Sequence, residues 1–141
     1  MEKSVLLTIV SLQKLMDEDA EETRLVTDGI LRVTDDGLEI SYFETELTGL
    51  VGTTTTFHVQ KDCIILRRSG KVQSKMVFIA GAEDRSLYDM GFGALMITIR
   101  TESIESQLTE NGGKLTVAYG ITIEDEVSGR IEYQIDVRLK S

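Results

Sequence analysis

The chain is expected to fold as an all-β protein, an antiparallel up-and-down barrel of about 8–10 strands. Three observations predict this. Runs of β-branched and apolar residues recur at short spacing, and turn signals rich in Gly, Asn or Asp separate each consecutive pair of runs. No stretch holds a sustained 3.6-residue period or alternates strands with helices, and sequential turns favour a meander that closes on itself over a Greek-key sandwich. At 141 residues without a Pro- or Ser-rich linker, residues 1–141 are expected to form one domain with one core.

The organising stretch is Cys63 to Thr101, read as a hairpin followed by a long strand. Gly70 sits between two apolar runs, where a tight turn needs a residue that tolerates positive φ. A three-residue loop at Ser69-Gly70-Lys71 sets Arg68 opposite Val72 and aligns Ile64, Leu66 and Arg68 with Ser74, Met76 and Phe78 on one face. A two-residue loop places Arg67 there instead. Gly81 and Ala82 begin a polar connection, and Gly91 and Gly93 mark a bulge or sharp bend in the next apolar run.

From the amino terminus, residues 5–15 read as a strand with Val5, Leu7 and Ile9 on one face, with a helix as the alternative, and the acidic DEDAEE that follows reads as a solvated connection. Residues 23–33 alternate less cleanly, but Asp35-Asp36-Gly37 is a turn signal, after which Leu38, Ile40 and Tyr42 alternate with polar neighbours. Gly49 and Gly52 mark a loop, TTTTFHVQ a strand, and Lys61-Asp62 the turn into the central hairpin. Downstream, Glu110-Asn111-Gly112-Gly113 predicts a hairpin. Leu115, Val117, Tyr119, Ile121 and Ile123 then share a face, as do Ile131, Tyr133, Ile135, Val137 and Leu139 after a turn near Ser128-Gly129. The last strand is expected to close against the first.

Composition restricts partners. A formal net charge of −9 opposes nucleic acid and anionic membrane surfaces alike, so neither is expected as a partner. The single cysteine, Cys63, allows no intrachain disulfide and fits a reducing compartment; VLLTIV is too short for a signal peptide or a span, and a cytoplasmic location is expected. No metal and no cofactor are expected. His58 stands alone after four threonines and is read as a strand residue without an acidic partner. Cys63 is read as a buried small hydrophobe, and the acidic runs Asp17 to Glu22 and Glu124 to Glu126 as solvated turns that lack the ligand pattern of a calcium loop.

The run RSG at 68–70, MVF at 76–78 with Gly81, Tyr88, FG at 92–93, Thr101, NGG at 111–113 and Tyr119 are spaced as in the YwiB-like family of uncharacterised bacterial proteins, which the chain resembles closely over 63–120 and more loosely outside. The resemblance implies a calycin-type, lipocalin-like β-barrel with no established activity, and it supplies no catalytic residue. Family members carry Thr-Pro before the FG where this chain has Met90-Gly91.

Arg68 carries the functional reading. A guanidinium on an inward face must meet a carboxylate, carbonyls, water or an anionic ligand, because leaving it unpaired costs several kcal/mol. The resulting expectation is a non-enzymatic protein that holds a small amphipathic anion in its lumen, with Arg68 as anchor and Ser74, Met76, Phe78, Tyr88 and Tyr119 as lining. The alternative is a structural or protein-interaction module with a packed core. Residues 63–66, 76–79 and 95–99 are apolar on both faces, so a homodimer through their outer sides is expected if they are adjacent.

Overall fold

Ten antiparallel strands curl into one nearly closed barrel: β1 (Glu2–Leu15), β2 (Glu21–Thr34), β3 (Gly37–Phe43), β4 (Thr53–Gln60), β5 (Cys63–Gly70), β6 (Ser74–Phe78), β7 (Glu83–Asp89), β8 (Ala94–Ser106), β9 (Gly113–Ile123) and β10 (Val127–Leu139). The structure, a computed structural model, describes residues 2–15, 19–45 and 50–140. Gly49, Asp17 and Glu18 of the expected connections lie outside the described residues. Spatial order runs β6-β5-β4-β3-β2-β1-β10-β9-β8-β7. Every strand therefore pairs with its neighbours in sequence except at one place, and β10 closes against β1 over Val5↔Leu139 to Leu15↔Gly129.

The exception is the seam between β6 and β7. There the Gln73↔Asp89 bridge joins the edges at one end. Farther along, Asp84 Oδ2 accepts from the Val77 amide at 3.1 Å, where a continuous ladder would supply a backbone carbonyl. Strand β7 (EDRSLYD) takes up most of the polar connection expected to begin at Gly81 and Ala82. It is polar because it lines this seam, and charged edge strands resist pairing with foreign chains.

Three other turns differ from expectation. Arg68 pairs with Ser74, not Val72: the parity is as expected, but the register moves by two because Gly70 extends β5 along β4, opposite Thr53. Gly70 has φ +127, and a Cβ there would lie 2.2 Å from the Gly52 carbonyl oxygen. Met90 to Gly93 form the β7–β8 hairpin, while the register shift that bends β8 falls at Thr101/Ser103. The β9–β10 turn is at Glu124 to Glu126, where Glu124 and Asp125 take positive φ. Gly129 lies within β10; a Cβ on it would sit 2.4 Å from the Lys14 carbonyl oxygen, so this glycine serves close strand approach.

Inward alternation fills the middle of the barrel. Val5, Leu7, Leu31, Ile40, Phe57, Ile64, Leu66, Phe78, Leu115 and Val117 are essentially inaccessible. Phe78 packs on Tyr119 (centroids 4.8 Å), and Tyr119 stacks towards Tyr133 at 6.4 Å. Ile64 and Ile97 are part of this core. Segments 63–66 and 76–79 lie side by side on β5 and β6, while β7 stands between them and 95–99 on β8.

Candidate functional site

At the end of the barrel where β1, β3 and β5 finish, the inward pattern turns from apolar to polar. Continuing the Val5-Leu7-Ile9 alternation brings Ser11 and Gln13 inward. One further step along Leu38-Ile40-Tyr42 brings in Glu44. A cavity of about 180 Å³ opens here. Among the described residues its walls are Ile9, Leu25 and Leu50, its hydroxyl and amide groups come from Ser11, Gln13 and Thr23, and Tyr42, Glu44, Arg68 and Tyr133 complete it.

Arg68 and Glu44 are both buried, and Arg68 Nε lies 3.9 Å from Glu44 Oε2. The guanidinium donates from one Nη to the Tyr133 hydroxyl at 3.3 Å. Its Nε is buried and makes no hydrogen bond among the described residues. Thr55 Oγ1 donates to Glu44 Oε2 at 2.5 Å. Burial by itself lowers the Arg68 pKa, but the surrounding oxygens of Tyr133, Tyr88 and Tyr42 outweigh it and hold the pKa above the ordinary arginine value, so the group stays charged. Burial raises the Tyr42 phenol, with the Glu44 charge adding to the effect, and burial likewise raises Tyr88 and Tyr119.

Of the six residues expected to bind a ligand, Arg68 alone borders this cavity. Met76, Phe78 and Tyr119 are packed in the core. Ser74 faces Arg68 across β5–β6. Tyr88 is half-buried on β7, within electrostatic reach of Arg68. Sequence reasoning missed Glu44 because the alternation of β3 was followed only to Tyr42; it missed Ser11, Gln13 and Thr23 because polar residues at strand ends read as solvated.

His58 does have acidic neighbours. The Asp35-Asp36 turn sets Asp36 Oδ1 at 3.0 Å from His58 Nε2, and Thr34 and Gln60 also donate to Asp36. The Thr34 hydrogen bond, with His58 behind it, lowers the Asp36 pKa. This cluster ties β2, β3 and β4 together on the outside, away from the mouth. Cys63 is half-exposed, opposite Gln60 on that outer face, and is not a core residue. A larger cleft of about 650 Å³ at the opposite end, between Leu38, Val59, Ile79, Ile104 and Leu108, has no buried charged group among its walls. No helix among the described residues is long and apolar enough to cross a membrane.

The chain is 32% identical over 110 residues to the uncharacterised β-barrel protein YwiB of Bacillus subtilis (strain 168), an alignment covering 78% of this chain and 76% of that one. The crystal structure of the ywiB protein from Bacillus subtilis superposes with a TM-score of 0.78 over 96% of this chain and 92% of that chain, at 24% identity, a likeness that bears on the fold alone. A family model described as a domain of unknown function, DUF1934, matches residues 7–135. The chain therefore belongs to the DUF1934 family, whose relative YwiB shares its barrel.

Proposed function

We propose that this protein binds a small amphipathic molecule in the polar mouth of its barrel, in the manner of calycin-like and lipocalin-like carriers, without turning it over, and that it does so in the cytoplasm. One observation carries the reading: a nine-tenths-buried arginine, with an Nε–H that no group among the described residues accepts, borders a cavity whose remaining walls are half apolar. Buried polar groups are ordinarily satisfied, and an unsatisfied one in a concave site is where a ligand acceptor gains most. Below the mouth the lumen is packed, so the bound part is small and any tail runs outward.

Fragment screening by protein-observed NMR tests the reading, with the Arg68 Nε–H and Gln13 side-chain amide signals as reporters. Small amphipathic fragments are expected to shift both. Leu25→Phe, which narrows the cavity and leaves Arg68 and Glu44 in the sequence, is expected to weaken the shifts. A screen in which no fragment moves either signal would overturn it.

A second reading, association through the outer surface as an interaction module or homodimer, draws on Phe43, Val51 and Phe92. These are exposed, Phe92 in the β7–β8 turn whose Gly91 lies near the Lys71 carbonyl. A monomer mass by light scattering at micromolar concentration removes the homodimer.

A further inference from the structure

We infer that the ligand's polar head is uncharged and amide-like, a planar group offering an acceptor to Arg68, and not the bare anion that an isolated buried arginine would call for. This rests on the mouth being the binding site. The argument begins with charge. Arg68 already has a counter-ion, Glu44 Oε2 at 3.9 Å from Nε, and both side chains are almost wholly removed from solvent. A carboxylate entering beside Arg68 would bring a second negative charge into the same weakly screened space, and like charges there each disfavour the other's ionised form. A cation meets the same obstacle from Arg68. An uncharged head meets neither.

Hydrogen-bond chemistry selects the head further. The Arg68 Nε–H lacks an acceptor among the described residues, so the ligand must supply one. Glu44 accepts from Thr55 and stands beside Arg68, so the head meets a carboxylate as well as a guanidinium. An amide carbonyl is an uncharged acceptor in a planar group, which suits the guanidinium without adding a charge beside Glu44. Size limits the rest. A cavity of about 180 Å³ compares with the roughly 150 Å³ apolar cavity that accepts a benzene ring. The walls suit one ring: Ile9 and Leu25 are apolar, and Tyr42 and Tyr133 offer aromatic faces or edges.

Three probes of nearly one shape and three charges decide the point: benzamide, benzoate and benzamidinium, each titrated at pH 7 against the Arg68 Nε–H and Gln13 amide signals. Benzamide is expected to bind at least about tenfold more tightly than either ion, a factor corresponding to about 1.4 kcal/mol. In Glu44→Gln, which removes the negative partner, benzoate is expected to overtake benzamide. Should that variant not fold, the order of the three probes on the parent protein decides alone. Benzoate binding tightest to the parent would overturn the inference and leave the mouth as the site. If other fragments shift the reporters and none of these three does, the amide-like head is again overturned; if no fragment of any kind does, the site itself falls.

Discussion

Replacing Arg68 by Met removes one member of a buried ion pair and leaves the other without its counter-charge. The magnitude follows from the geometry: two unit charges 3.9 Å apart, at an effective dielectric constant of about 20, interact by about 4 kcal/mol. Breaking a buried pair from one side is generally costly by about 3–5 kcal/mol. Thr55 still donates to Glu44, and the carboxylate lies next to a cavity that can admit water, so the lower end, about 3 kcal/mol, is expected. For a chain of this length that is a fall in Tm of roughly 10 °C. The assay is urea unfolding of the parent, Arg68→Met, Glu44→Gln and the double variant, read as midpoints at constant m. Each single variant is expected to lose about 2–4 kcal/mol, and the double variant to regain most of it, because the costly state is an unpaired buried charge and not the absence of the pair. Arg68→Met within about 0.5 kcal/mol of the parent, or a double variant as poor as the sum of the singles, would refute the coupling.

The buried phenols of Tyr42 and Tyr119 stand above their ordinary value of 10.0, so the folded state holds protons that the unfolded state releases: stability should be level below pH 10 and fall above it, by up to about 1.4 kcal/mol per pH unit per tyrosine, with the phenolates of these two tyrosines appearing only as the chain unfolds. Phenolate that forms reversibly at pH 10 in the folded protein at Tyr42 and Tyr119 would contradict this. Gly129→Val should cost about 2–3 kcal/mol in urea unfolding and speed amide exchange in β1 near Lys14, since its Cβ would collide with that strand's carbonyl; a neutral effect would mean that the strands separate without cost.

Much of the barrel was legible in the residues themselves. Strict alternation in β1, β3, β9 and β10 names an inner face without reference to any partner, because side chains along a strand point to opposite sides with period two. Turn residues such as Asp35-Asp36-Gly37 and Lys61-Asp62 place hairpins for equally local reasons. The placement of Arg68 on the face of Leu66 and Met76 is of the same kind: parity depends only on counting. What required the tertiary structure is whatever depends on how far one strand slides along another and on which strand ends meet. Gly70 runs on along β4, which shifts the β5–β6 register by two and makes Ser74 the cross-strand neighbour of Arg68. Polar β7 is a strand because β8 pairs with it, and its own composition does not demand one. Glu44 meets Arg68 only because β3 and β5 flank β4 and both finish at one end of the barrel, so residues 24 apart in sequence become a pair of buried charges. Secondary structure here is a matter of neighbouring residues and water; the mouth and its charge balance arise from closure, which no local pattern encodes.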